Sequence, residues 1–172
     1  MRKKNLTNCR FDGETNLQPS ESHILIIEDS ESKRLSIQEV VTNAFPNRPI
    51  RLASSVSSAI EELNRGVPAA IIADMSLPTY DVGSKERGGT PRPLGGLEVF
   101  DHLDHLELDV PVVVVSSYTA LGDGPSSIPL TDLAQRLAKD YPTLYRGYVF
   151  FDSTYTTWAT QLDKLLKSVL TS

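Results

Sequence analysis

Apolar residues in this chain gather in short unbroken runs, and each run stops abruptly on polar side chains. Three such runs, with the polar residues that end them, are 24–27 with Glu28 and Asp29, 69–73 with Asp74, and 112–115 with Ser116. Branched residues without polar alternation are typical of strands that are covered on both faces, as in a parallel sheet. The pattern therefore predicts buried strands whose carboxyl ends carry acids and hydroxyls.

Between the strands, apolar residues recur at the spacing of amphipathic helices. The first helical face includes Ile37 and Val41, and Pro46 closes the segment. The spacing of Ser58 and Glu61 fits a capping box in the second helix. In all, the pattern predicts helices opening near 30–32, across 56–63, from 96, over 130–141 and over 158–169, with two further strands at 50–53 and 147–151.

Strand and helix alternate five times, which predicts an α/β domain with a parallel sheet and helices on both faces. In the flavodoxin-like, doubly wound, five-stranded order 2-1-3-4-5, the switch point lies between strands one and three. Glu28, Asp29 and Asp74 would then converge on one crevice at the carboxyl edge of the sheet.

The chain divides into three parts by composition. A polar segment without periodicity, 1–22, is predicted to be a flexible arm. The segment 23–172 is predicted to form the ordered domain. Within it, residues 79–93 are rich in glycine, proline and charge, which indicates a long inserted loop beside the crevice.

The overall composition narrows the range of partners. Of the 172 residues, 40% are hydrophobic, and 17 basic against 22 acidic side chains give a net charge of −5. This balance argues against nucleic acid as a direct ligand. The chain has no apolar stretch that approaches the roughly 18 residues of a membrane span. Its single cysteine, Cys9, cannot form an internal disulfide, so the reducing cytoplasm is the simplest location to expect.

Three carboxylates in one crevice repel each other unless a cation neutralises them. A hard divalent ion such as Mg²⁺ is the expected partner, because it prefers oxygen ligands. A carboxylate beside it can attack phosphorus and form an acyl phosphate, and Ser116 can donate a hydrogen bond to a phosphoryl oxygen. Asp29 can equally cap the first helix, which would not exclude a metal role.

Four segments resemble the receiver domain of two-component response regulators: Glu28-Asp29, 74–78, 94–98, and Pro111 with the run that ends on Ser116. The resemblance covers roughly 23–170 in element order. It implies a phospho-acceptor at Asp74, metal ligands at Glu28, Asp29, Asp74 and the Ser76 carbonyl, a switch hydroxyl at Ser116 and a switch aromatic at Tyr148.

The sequence departs from the family pattern at one charged position. Receivers carry a lysine followed by proline on strand five, whereas Phe151 and Asp152 stand here. Losing such a charge-assisted partner costs about 1.5 to 3 kcal/mol. A cation of the inserted loop, Lys85, Arg87 or Arg92, is one hypothetical substitute.

The resemblance implies a stand-alone signalling receiver rather than an enzyme. Its partners would be a histidine kinase or phosphotransfer protein and a downstream protein that contacts the face formed by helix four, strand five and helix five. Two alternatives remain open at this point. One is a pseudo-receiver that binds partners without being phosphorylated, and the less favoured one is a magnesium-dependent phosphohydrolase.

Overall fold

The computed structural model describes residues 22–81 and 92–171. The predicted arm, apart from Ser22, and most of the predicted loop, including Lys85 and Arg87, lie outside the described residues. Where the described chain begins, Ser22 is joined to the domain: its carbonyl accepts a hydrogen bond from Arg48 Nη1 at 3.0 Å.

The described chain contains seven strands and, among its helices, five that have eight or more residues. The strands are β1 (Ile24–Ile27), β2 (Ile50–Ala53), β3 (Ala70–Ala73), β4 (Val112–Ser116), β5 (Ala120–Leu121), β6 (Ile128–Pro129) and β7 (Tyr145–Phe150). The helices are α1 (Glu31–Ala44), α2 (Val56–Arg65), α3 (Leu97–His105), α4 (Leu130–Asp140) and α5 (Thr157–Leu170).

Five of the strands form one parallel sheet in the order β2-β1-β3-β4-β7. Since β7 is the fifth strand of this sheet along the chain, the predicted order 2-1-3-4-5 is confirmed. Ile27 of β1 lies beside Ala73 of β3, and Ala73 lies beside Val114 of β4. This register brings the residues that follow β1 and β3 next to each other at the carboxyl edge.

The sheet is covered on both faces, as the unbroken apolar runs predict. Leu25 and Ile27 point into a core shared with α2, α3 and α4, whereas Ile24 and Ile26 point into a core shared with α1 and α5. All four side chains are fully buried. Within a strand, successive side chains face opposite sides, so each apolar run contributes to both cores.

The second helix begins at Val56 as predicted, but its cap differs from the predicted one. The capping box joins Ser55 to Ser58: the Ser55 hydroxyl accepts from Ser58 N at 3.1 Å, and Ser55 N donates to the Ser58 hydroxyl at 3.0 Å. The predicted capping pair, Ser58 and Glu61, was therefore wrong, because the N-cap is Ser55 and Ser58 occupies the third helical position.

The segment between β4 and α4, to which the sequence pattern assigns no strand, contains two short strands. Strands β5 and β6 form a small antiparallel ribbon that pairs Ala120 with Pro129 and Leu121 with Ile128. Leu121 is buried in the core under α4. Within 22–81 and 92–171, no helix is both long and apolar enough to cross a membrane.

Candidate active site

A cavity of about 250 Å³ opens at the carboxyl edge of the sheet, where β1 and β3 lie side by side. Residues that follow β1, β3, β4 and β7, together with the first turn of α1, form its walls. The lining residues are Glu28, Asp29, Ser30, Ser32, Lys33, Asp74, Ser76, Ser117, Tyr118 and Phe151.

The three acids that were expected to converge do so. One carboxylate oxygen from each of Glu28, Asp29 and Asp74 lies within 4.8 Å of the other two. Glu28 is 1% exposed and Asp74 is 5% exposed, while Asp29 is half-buried. The parallel register of β1 and β3 is the cause, because both strands end at the same level.

Backbone amides hold the Asp74 carboxylate at the exit of β3. Met75 N donates to Asp74 Oδ1 at 2.8 Å, and Ser76 N also donates to this carboxylate. Burial raises the pKa of Asp74, while Lys33 and the two amides act in the opposite direction. The Asp74 carboxylate is thus held in one orientation by backbone amides and is mostly removed from water.

Glu28 occupies the more enclosed position of the acidic pair. Burial raises its pKa to about 7, and the nearby Lys33 opposes the shift. Ser30 N donates to Glu28 Oε1 at 3.0 Å. Lys33 Nζ approaches Glu28 Oε2 at 2.8 Å as an ion pair, but this oxygen accepts no hydrogen bond of good geometry. Since a carboxylate oxygen can accept more than one contact, Oε2 can have a cation as a second neighbour beside Lys33.

Lys33 is a site residue that the sequence analysis missed. Its ammonium lies 2.8 Å from Glu28 Oε2, 3.4 Å from Asp74 Oδ1 and 2.8 Å from the Val115 carbonyl oxygen. The residue is buried on the face of α1 that also carries Ile37 and Val41. A lysine on an otherwise apolar helical stripe was the available signal.

The donor set fits a hard divalent cation. Three carboxylates and one ammonium leave two uncompensated negative charges when all are ionised. Oxygen ligands and a net charge of this size suit Mg²⁺, which keeps several waters and takes few carboxylates. The buried Glu28 Oε2, whose neighbour among the described side chains is the Lys33 ammonium, is consistent with the same conclusion.

The other predicted site residues are placed at different distances from the acids. Ser76 lines the cavity, as does Ser117, whereas the buried Ser116 hydroxyl accepts from Tyr118 N at 3.2 Å. Tyr148 lies on the edge strand β7 and is 37% exposed. Their assigned roles as ligand, switch hydroxyl and switch aromatic stay predictions.

Phe151 fills the position where a receiver lysine was expected. Its ring lines the cavity and packs against Trp158 at a centroid distance of 4.6 Å. Arg92, the one described cation of the predicted loop, pairs with Glu98 on α3. The described partner of Arg92 therefore lies on α3, and not among the three acids of the cavity.

Solved receiver structures share this fold. The phosphorylated cyanobacterial phytochrome response regulator RcpA matches with a TM-score of 0.59 and 18% identity, over 87% of this chain and 94% of its own. TrrA of Thermotoga maritima, in complex with Mg²⁺-BeF, matches with a TM-score of 0.52 and 16% identity, over 84% of this chain and 98% of its own. The fold is therefore that of a response regulator receiver domain.

A curated relative gives a closer match. The Detocs response regulatory protein DtcB of Enterobacter cloacae is 31% identical over 145 residues, which are 82% of this chain and 95% of the relative. This chain belongs to the response regulator receiver family. No protein-family profile matches it.

Proposed function

We propose that this chain is a stand-alone receiver that accepts a phosphoryl group on Asp74 and signals by protein contact. The supporting observation is the buried carboxylate of Asp74 with oxygens of Glu28 and Asp29 within 4.8 Å, at the mouth of an open cavity. Because a relative is a Detocs response regulatory protein, we infer the same regulatory position in a comparable cytoplasmic system, with a histidine kinase or phosphotransfer protein as donor.

The transfer is a displacement at phosphorus. A carboxylate oxygen of Asp74 forms the new O–P bond while the donor's bond to phosphorus breaks, and the leaving group keeps the electron pair. With a phosphohistidine donor the leaving atom is the imidazole nitrogen, and with acetyl phosphate it is an acetate oxygen. The amides of Met75 and Ser76 hold the nucleophile at a fixed position throughout.

Mg²⁺ would be held by Glu28, Asp29, Asp74 and the Ser76 carbonyl. The bound ion would offset the negative charge on the phosphoryl oxygens. The two uncompensated charges of the site match a divalent ion better than a monovalent one. Both buried carboxylates are also more easily ionised when a cation lies beside them.

The face formed by α4, β7 and α5 would be the surface that a downstream protein contacts. Both helices pack against β7, and Tyr148 and Phe150 are partly exposed on this edge strand. Phosphorylation adds nearly two negative charges at Asp74, and Ser116, at the end of the neighbouring β4, would respond first. A downstream protein would then recognise the changed face.

Incubation with acetyl phosphate and Mg²⁺, followed by intact-mass measurement, tests the proposal. We expect the protein to gain the mass of one phosphoryl group, and we expect Asp74→Asn to gain none because the amide is not a nucleophile. Asp109→Asn is the matched control, since this exposed acid precedes β4 at the opposite edge of the sheet; it should be modified like the wild type.

Three outcomes would overturn the proposal. One is a wild-type protein without an adduct, which is the result expected of a pseudo-receiver. Another is an adduct that persists in Asp74→Asn. The third is rapid turnover of phosphate monoesters, which would identify a phosphohydrolase.

A further inference from the structure

Lys33 is a buried cation whose position packing alone does not explain. It lies on the inner face of α1 with Ile37 and Val41, and only 5% of it is exposed. Burying an ammonium is costly unless it is paired and hydrogen-bonded. The site must therefore supply the compensation.

The compensation comes from three strand ends at once. An ammonium has three N–H donors, and Lys33 Nζ has one oxygen nearby from each of three elements: Glu28 after β1 at 2.8 Å, Asp74 after β3 at 3.4 Å, and the Val115 carbonyl of β4 at 2.8 Å. The contact with Asp74 is the longest, so it is the most easily exchanged for another acceptor.

Phe151 directly follows β7, at the position where receivers carry a lysine, and it lines the cavity with Lys33. The phenyl ring packs at a tilt against Trp158, and its centroid lies 6.0 Å from Lys33 Nζ. At this distance the ring face adds a weak cation–π attraction. The aromatic residue thus forms part of the wall against which the helix-borne ammonium is held.

No other described cation lines this cavity in the segments 22–81 and 92–171. Arg34, one residue along α1, donates to the Glu28 carbonyl at 3.1 Å. Arg92 pairs with Glu98. Among the described side chains, Lys33 is therefore the positive charge nearest to the acceptor carboxylate.

We propose that Lys33 is a phosphoryl-binding residue, supplied by α1 in place of the strand lysine that Phe151 has replaced. When Asp74 is phosphorylated, the ammonium keeps the Val115 carbonyl and exchanges its long contact with Asp74 Oδ1 for a phosphoryl oxygen. This inference rests on the proposed phosphorylation of Asp74. It extends that function by naming the cation that binds the product.

The test uses beryllofluoride, which imitates a phosphoryl group on a carboxylate, followed by ¹⁹F NMR in the presence of Mg²⁺. We expect Lys33→Gln and Lys33→Met to bind it about tenfold to hundredfold more weakly than the wild type, the range of one lost charge-assisted hydrogen bond. The control is Lys139→Met, an exposed lysine of α4, which should bind as the wild type does. Introducing Phe151→Lys into Lys33→Met should restore part of the affinity.

Binding of Mg²⁺ alone separates this role from a structural one. Removing the ammonium leaves Glu28 less compensated, so Lys33→Gln should bind Mg²⁺ several-fold more tightly while it binds beryllofluoride more weakly. A site that had merely unfolded would lose both ligands. Unchanged beryllofluoride binding in Lys33→Gln, or a loss of both ligands in a folded variant, would overturn the proposal.

A measurement on the wild-type protein tests the proposal without requiring that the variants fold. The Lys33 Nζ resonance should shift when beryllofluoride is added, and an unmoved resonance would contradict the proposal. A protein that takes no phosphoryl group from acetyl phosphate but shows this shift would disprove the phosphotransfer function alone. A wild-type protein that is not phosphorylated by acetyl phosphate and shows no shift with beryllofluoride would disprove both the phosphotransfer function and the role of Lys33.

Discussion

At the scale of single residues, the segment that carries Asp74 is positioned by a close approach between two backbones. Gly96, which precedes α3, donates its N–H to the Met75 carbonyl at 3.0 Å. A Cβ added to Gly96 would lie 2.5 Å from the Asp74 carbonyl oxygen and 2.9 Å from Met75 Cα. Only a residue without a side chain lets α3 pack this tightly against the segment that carries Asp74.

Gly96→Ala should therefore disturb both stability and the site. Overpacking of this kind costs about 1 to 3 kcal/mol of unfolding free energy, and the displaced Asp74 backbone should also slow phosphorylation by acetyl phosphate. Urea unfolding and intact mass measure the two effects. Gly66→Ala is the control, because its added Cβ would meet only Arg51 Nη1 at 3.9 Å. Equal stabilities of the two variants would contradict this explanation.

The acids of the site could be predicted from sequence, whereas its cation could not. Glu28, Asp29 and Asp74 directly follow apolar runs, so the topology of a parallel sheet is enough to bring them together. Lys33 reaches the same place from a helix, and its contact with Val115 spans 82 residues of sequence. Helical periodicity shows that Lys33 shares a face with Ile37, but not which acceptors lie in front of it.

At the scale of the elements, α2 and the segment that follows β3 are joined by a cluster of hydroxyls. Ser55 and Ser58 exchange the two hydrogen bonds of the capping box. Asp81 Oδ1 accepts from the Ser58 hydroxyl at 2.9 Å and from the Ser54 hydroxyl at 2.7 Å. The cap thus anchors the last described residue before the gap at 82–91.

Ser55→Ala should destabilise the domain by about 1 kcal/mol, the usual cost of losing an N-cap side chain. Ser55 is fully buried, so Ser58 N would lose its acceptor without gaining water in exchange. Ser57→Ala serves as control, since Ser57 lies in the same turn outside the capping box. Thermal unfolding should show a lower midpoint for Ser55→Ala alone, and equal midpoints would contradict the importance of the cap.

Long periodic elements were predictable, and short ones were not. The sheet strands and the five helices lie within a few residues of their predicted bounds. Burial leaves a recognisable pattern in the sequence, an unbroken apolar run for each strand and an apolar face for each helix. Strands β5 and β6 have two residues each, which is too short for any period. The capping box was misplaced because four serines between 54 and 58 offer overlapping frames for the same motif.

At the scale of the whole molecule, the sheet separates two apolar cores that stabilise the site from opposite sides. Ile71 of β3 belongs to the core beneath α2, α3 and α4, and Ile37 of α1 belongs to the core shared with α5. Both side chains are buried to 1% exposure or less. The acidic crevice lies at the edge where the two cores meet the loops.

Because Ile71 and Ile37 lie in different cores, their contributions to stability should be additive. Ile71→Val and Ile37→Val should each lower the unfolding free energy by about 0.5 to 1.5 kcal/mol. The double variant should equal their sum within about 0.5 kcal/mol. Leu35→Ala, at a residue of α1 that is 57% exposed, should have little effect by comparison. Urea unfolding of all four variants measures these values, and a larger coupling energy would mean that the sheet transmits packing strain from one face to the other.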